Sequence, residues 1–311
     1  MFSCVSNETC ISLYADDTKI WRRINLYSDH HLLQNDINNL YEWSIRNKIV
    51  FHPDKCKAIS VTMQRNMLDN LPFNVFIYEI NGTLIDYVSS QKDLGVYLNT
   101  KLTWNKQHDV LVANASSKFD ILRRTCHFIT DVRQKRTFYL TVVRSLLEHC
   151  STIWDPQHVT HLAKYIAVQK RAIKWINNEP FAHYNDEKYH SELRKLEILP
   201  MKFKFIYNDL VMFYKIINKL THAELPSYIS LCQPNDTRYT RSTSAIHENI
   251  DLSTFRCEVV PTIDAFRHSY FYRTMHHWNK LPLSIRQSEC LYYFKISLKN
   301  YFHSAHYGWP D

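Results

Sequence analysis

The sequence predicts an α+β chain. A small, mostly antiparallel sheet with one or two helices occupies residues 1–100, and a predominantly helical remainder follows. Three observations carry this. Short β-type runs separated by hairpin signals fill the first hundred residues. From Trp104 onward, apolar residues recur at helical spacing over long stretches. Only three glycines occur, Gly82, Gly95 and Gly308, where an average chain of this length carries roughly twenty. That scarcity disfavours a turn-rich all-β fold and excludes a glycine-rich phosphate loop.

In chain order, Cys10–Tyr14 and Ile20–Trp21 are apolar runs on either side of Asp16-Asp17. They read as a tight hairpin with the aspartates at its tip. Over Asp29–Asn47, Leu33, Ile37, Leu40, Tyr41 and Ser44 share one face, giving a helix with its apolar side on the sheet. Pro53 disfavours helix at His52 and ends it. Ala58–Met63 and Phe73–Ile80 are β-type runs, and Asn81-Gly82 is the dipeptide that type I′ turns favour. Asp93–Leu98 reads as a short strand with Gly95 inside it, the signal of a bulge or a close backbone approach.

The helical part begins with Trp104–Ile129 and Arg133–His149, the second apolar on several faces and therefore buried. Leu162–Ile176 carries Leu162, Tyr165, Ile166, Ile173 and Ile176 on one face and Lys164, Lys170, Arg171 and Lys174 on the other. That cationic side is either a solvated face or a contact for phosphates. Glu179–Lys188 reads as a polar connector. Phe203, Ile206, Leu210, Phe213, Ile217 and Leu220 form a further helical stripe. Pro226 and Pro234 punctuate a loop, residues 235–245 interleave Arg238, Tyr239 and Arg241, and Ile263–Trp278 and Tyr292–Phe302 are helices. The expected domains are 1–100, 101–180 and 181–311.

Composition narrows the function classes. At 45% hydrophobic and 14% aromatic, the chain has enough apolar side chains to exclude disorder by composition. The formal net charge of +8 favours a polyanionic partner. Eight scattered cysteines include no Cys-x-x-Cys pair, which suits a reducing, intracellular compartment, nucleus or cytoplasm, and not secretion. His158 and His161 read as surface histidines. No basic stretch followed by an apolar run opens the chain, and no segment reaches the roughly 18 consecutive apolar residues that a membrane span needs.

The stretch with chemistry in it is Leu13-Tyr14-Ala15-Asp16-Asp17-Thr18-Lys19. Adjacent acids repel, and folding alone gives no reason to pair them. A divalent metal does, because Mg²⁺ takes oxygen ligands and commonly uses one or two carboxylates plus substrate phosphates. The competing reading is a solvated turn, in which Asp is a favoured residue.

Taken in order, the landmarks resemble the C-terminal half of a jockey-like non-LTR retrotransposon reverse transcriptase. They are Leu13 to Lys19, Leu33-Gln34-Asn35-Asp36-Ile37 with Glu42-Trp43-Ser44, Phe51-His52-Pro53-Asp54-Lys55-Cys56-Lys57, and Lys92-Asp93-Leu94-Gly95-Val96. In the helical part they are Arg123-Arg124-Thr125, Leu146-Leu147-Glu148-His149, Trp154-Asp155-Pro156, Val168-Gln169-Lys170-Arg171-Ala172 and Trp278-Asn279-Lys280-Leu281-Pro282. The resemblance implies a partial polymerase palm at 1–100, a helical thumb at 101–180 and a helical C-terminal region. It implies an RNA template, a DNA primer and dNTPs as partners, with no membrane. Asp16 and Asp17 would be catalytic ligands of Mg²⁺, with Mn²⁺ as substitute, in a two-metal nucleotidyl transfer. Lys55 would act on the departing pyrophosphate, or be a surface lysine. Tyr14 and Leu94-Gly95-Val96 would contact nucleic acid, the latter gripping the primer end. Arg123, Arg124, Lys170, Arg171 and Lys174 would face its backbone, through contacts that are independent of sequence and weakened by salt.

Only thirteen residues precede Tyr14, and Glu8 is the only acid before Asp16. The family's fingers and its upstream palm aspartate have no counterpart. The expectation is therefore a fragment without polymerase activity of its own, the alternatives being a non-catalytic RNA/DNA-binding remnant or a pseudogene product.

Overall fold

A computed structural model describes residues 4–49, 51–62, 76–179, 183–232 and 254–304. Met63, Phe73–Val75, Pro180, Pro234, the basic stretch 235–245 and Gly308 lie outside them. The architecture is α+β. The chain divides into two compact units, 1–104 and 105–311, so the helices on both sides of residue 180 share one unit.

The first unit opens with strands β1 (Thr9–Tyr14) and β2 (Asp17–Arg22), followed by helix α1 (Tyr27–Arg46). Asp29 starts the helix, its Oδ2 accepting from the backbone of Asn25 and Leu26 at 2.8 Å each. These bonds hold its carboxyl below the usual range. The inner face of α1 buries Ile37 and Leu40, and Ile37 packs with Tyr78, Ile80 and Ile85 into a small core. The Leu33–Ile37 stretch does more than fill that core. Asp36 is buried and accepts from the Ser6 amide and hydroxyl at 2.8 Å each. The Gln34 amide donates to Glu79 O at 2.9 Å and accepts from Glu79 N at 3.0 Å, imitating a strand partner.

The remaining strands are short: β3 (Lys57–Ala58), β4 (Glu79–Ile80), β5 (Thr83–Leu84), β6 (Asp86–Tyr87), β7 (Ser90–Asp93) and β8 (Val96–Asn99). They pair as separate two-stranded ladders and do not merge into one sheet; β3–β6 is parallel and the others are antiparallel. Asn81 and Gly82 both take positive φ (51° and 75°), as a type I′ turn requires. One expectation is overturned. Asp93–Leu98 is not a strand with an internal glycine. Asp93 pairs with Val96, and Leu94 (φ 46°) and Gly95 (φ 89°) form the turn between β7 and β8.

The second unit runs α2 (Asn105–Thr125), α3 (Val132–Phe138), a π-helical turn (Tyr139–Arg144), α4 (Ser145–Glu148), α5 (Ser151–Trp154), α6 (Val159–Ile176), α7 (Asp186–Lys195) and α8 (Met201–Ile217). A small ribbon of β9 (Ile229–Leu231) and β10 (Phe255–Cys257) follows, then α9 (Asp264–Arg267), α10 (Tyr270–Asn279), α11 (Leu283–Arg286) and α12 (Leu291–Ser304). The stripe on α8 buries Phe203, Ile206, Leu210 and Phe213 against Trp278, Phe294, Leu298 and Phe302. Each such side chain contributes roughly 1.5–3 kcal/mol on full burial.

Three expectations change here. The supposed connector is a helix from Asp186, capped by Asn185, whose Oδ1 accepts from Lys188 N at 2.9 Å. Acids fill its first turn and Arg194 and Lys195 its last, matching the helix dipole. The 133–149 helix contains a π-helical turn that carries Tyr139, Val143 and Arg144 into the interior. The 263–278 helix is broken at His268–Ser269, where the Ser269 hydroxyl donates to Phe266 O at 2.7 Å.

Scarce glycine has a visible cost at the helix ends. Lys48, Asn178, Glu197 and Lys219 follow α1, α6, α7 and α8 with φ of 58°, 60°, 52° and 54°. This is the left-handed position that glycine usually fills. The next residue's amide then bonds five residues back, as in Ile49 N to Ser44 O, Ile198 N to Leu193 O and Leu220 N to Lys215 O. Among the described residues no helix is long and apolar enough to cross a membrane.

Candidate functional site

The β1–β2 ribbon pairs from Thr9↔Arg22 to Tyr14↔Asp17. Its loop is thus Ala15-Asp16, with Ala15 at φ 52°. Asp16 sits in the loop, and Asp17 is the first residue of β2. The strand period of two then separates the ribbon into unlike faces. Ile11 and Ile20 lie on one, and Ile20 packs on the α1 core. Cys10, Ser12, Tyr14, Asp17, Lys19 and Trp21 lie on the other, and all six are exposed.

Lys19 forms an ion pair with Asp93, the residue before the Leu94-Gly95 turn. The aspartate hairpin and the β7–β8 hairpin are therefore neighbours, and Lys19 shares its ribbon face with Asp17. Sequence reasoning missed Asp93 as a participant, although it lies inside the quoted Lys92–Val96 stretch. Tyr14 is 66% and Leu94 49% exposed, whereas Val96 is buried, so Val96 presents no side chain to a ligand.

Lys55 ends a single 3-10 turn, Pro53–Lys55, which lies against β5. Among the described residues no hydrogen bond or ion pair joins it to the aspartates.

The donor chemistry at the tip suits Mg²⁺, a hard cation that takes oxygen ligands. The number of donors does not suit a two-metal site, because no group of three or more His, Cys, Asp or Glu side chains among the described residues is placed to hold a metal. Asp16 and Asp17 alone do not constitute that centre.

The cations on α6 are largely committed within their own unit. Lys164 pairs with Asp109 at 2.6 Å, Lys170 with Asp186 at 2.8 Å and Arg171 with Asp120 at 2.5 Å. Lys170 also lies over the Tyr189 ring, Arg171 over Phe119 and Lys174 over Tyr184. The face, read as either solvated or a contact for phosphates, thus fastens α6 to α2 and to the 184–189 segment. Lys170 donates to Asp186 and holds that carboxyl below its usual range. Arg123 lies 3.9 Å from Asp120. Arg124 is exposed and its side chain has no partner among the described residues.

The other quoted stretches of this unit are internal joints. Gln169 is fully buried; its Oε1 accepts from Tyr189 Oη (2.6 Å) and Met201 N (3.2 Å), and its Nε2 donates to Leu199 O (3.1 Å). Arg144 donates to Glu148 at 2.6 Å and to Leu199 O at 2.8 Å. The Asn279 amide spans β10, accepting from Phe255 N and donating to Phe255 O. Arg273 Nε lies 2.9 Å from Asp209 and 3.4 Å from Asp155; Arg273 and Asp209 are buried and the Asp155 side chain is 9% exposed. Burial pushes both carboxyls up, and Arg273 counteracts it.

His161 is not a plain surface residue. It stacks on His108 with ring centroids 4.3 Å apart, and its Nε2 lies 3.0 Å from Asn105 Oδ1. His108 in turn lies 3.0 Å from the Tyr165 hydroxyl. All eight cysteines are free. No family model, no curated protein and no solved structure matches this chain.

Proposed function

We propose that the chain is a palm and thumb portion of an RNA-directed DNA polymerase of the non-LTR retrotransposon type, acting on its own as a nucleic-acid-binding body without nucleotidyl transfer. One observation carries the reading. Asp16 and Asp17 stand at the exposed end of a hairpin whose open face is tied through Lys19–Asp93 to the Leu94-Gly95 turn. A turn alone accounts for one exposed aspartate; a pair of them beside a second hairpin suits a metal-bridged phosphate. With only two of the carboxylates such a centre needs, no catalytic step is assigned to these residues.

The net charge of +8 and the exposed Arg124, which has no partner among the described residues, support a polyanionic partner. The test incubates the chain with an RNA template annealed to a DNA primer, dNTPs and Mg²⁺. The expected result is a complex that dissociates as salt rises, with the primer unextended. Absence of binding refutes the nucleic-acid assignment. Extension that Asp16→Asn abolishes refutes the claim of inactivity.

A further inference from the structure

Helices α6 and α12 carry cations in opposite circumstances. Those on α6 are taken up by Asp109, Asp120, Asp186 and aromatic rings. Helix α12 (Leu291–Ser304) contains no acidic residue. Its Lys295 and Lys299 make no ion pair or cation–π contact among the described residues.

The helix buries Phe294, Leu298 and Phe302 in the core, a spacing of four that fixes the opposite side as outward. That side carries Tyr292 (67% exposed), Tyr293 (57%) and Ile296 (41%). Tyr292, Lys295 and Lys299 fall at i, i+3 and i+7, one row along the helix. The two tyrosine rings sit edge to face with centroids 5.5 Å apart. Around the helix, Glu289 precedes it, Glu197 acts on His303 at the far end, and Glu148 is taken up by Lys204, whose charge Lys295 also feels.

We propose that this outer face of α12 is a contact surface for single-stranded nucleic acid, bases stacking on Tyr292 and Tyr293 while Lys295 and Lys299 meet the backbone. It deepens the proposed function and rests on it. Free aromatic faces interleaved with uncompensated cations are what sequence-tolerant single-strand binding uses. A membrane surface is a poorer match, because Ile296 is the one exposed aliphatic side chain on the helix, and insertion needs a wider apolar face.

The test measures fluorescence anisotropy of labelled oligo(dT) with the full chain over a series of salt concentrations. Tyr292→Ala with Tyr293→Ala weakens binding by about ten-fold or more. Phe at both positions retains it, since stacking needs the ring and not the hydroxyl. Lys295→Glu with Lys299→Glu lowers the slope of log affinity against log salt by about 1.4, the loss of two single-strand phosphate contacts. Unchanged oligo(dT) binding by the Ala and Glu variants overturns this surface and leaves the proposed function standing. So does equal loss with Phe and Ala, or binding to phosphatidylserine vesicles that the Ala pair abolishes while oligo(dT) binding survives it. Failure of the unaltered chain to bind either oligo(dT) or the RNA–DNA hybrid overturns both.

Discussion

The two units of this chain use polar residues in contrary ways. In 1–104 the acids of interest stand on an exposed ribbon face, and the core beneath is a small cluster around Ile37, Tyr78, Ile80 and Ile85. In 105–311 several polar residues in or beside the quoted stretches are buried and satisfied: Gln169 joins the 189–201 segment, Arg144 reaches Glu148 and Leu199, and Arg273 spans Asp155 and Asp209, whereas Arg123 and Arg124 stay exposed. The same kind of sequence landmark thus has two meanings. Before residue 104 it marks both joints, as at Gln34 and Asp36, and the exposed Tyr14–Asp17 end. After it, most of the landmarks mark joints that hold helices in place, Arg124 being the exposed exception without a partner among the described residues.

Breaking a joint in the second unit has the largest expected effect. Arg273→Met leaves two buried carboxyls without their cation, and about 3–5 kcal/mol is lost. Urea unfolding followed by tryptophan fluorescence reads this directly. A loss under 1 kcal/mol, no larger than about that of a surface pair, would remove the distinction between joints and surface pairs.

Acidification sharpens the same contrast. Desolvation, aided by the nearby His161, pushes His108 down to about 4 from the ordinary 6.5. The folded unit then binds fewer protons than the unfolded one at this site. The stability it carries is complete above pH 6.5 and is lost as pH falls toward 4. Asp209, held up by burial, acts in the opposite direction. His108→Gln therefore flattens the acid side of the profile of unfolding free energy against pH by on the order of 1–2 kcal/mol. An unchanged profile would show that the histidine stack has no part in it.

Helix ends give a smaller gain. Lys219→Gly and Glu197→Gly relieve left-handed strain, and each stabilises by up to about 1 kcal/mol. Destabilisation at these sites would mean that the side chains contribute contacts worth more than the strain. Smallest of all, Lys164→Ala removes the exposed Asp109 pair and costs about 0–1 kcal/mol, less at high salt. A larger cost, unaffected by salt, would make α6 more than superficially fastened.

Much of this molecule was legible from pattern. The Leu33–Ser44 face, the Asn81-Gly82 turn, the α8 stripe and the Asp16-Asp17 hairpin follow from period and turn chemistry. The misses share a cause. Leu94-Gly95 reads as strand because Leu rarely takes positive φ, and only the pairing of Asp93 with Val96 reveals the turn. Helix α7 has few apolar residues, so periodicity is silent and the Asn185 cap with its charge gradient is the signal that remains. The cations of α6 point to phosphate in one dimension, whereas their acids lie 16 to 55 residues away. Long-range pairing of that sort leaves no local trace.

The central claim is that the exposed hairpin face lies at a primer terminus. It is tested most directly by photo-crosslinking a primer with 4-thiothymidine at its 3′ end, annealed to RNA and bound to the full chain, with adducts mapped by mass spectrometry. Adducts on Tyr14–Trp21 and Lys92–Val96 are the predicted result. Adducts confined to 105–304, with none in the first unit, would contradict it.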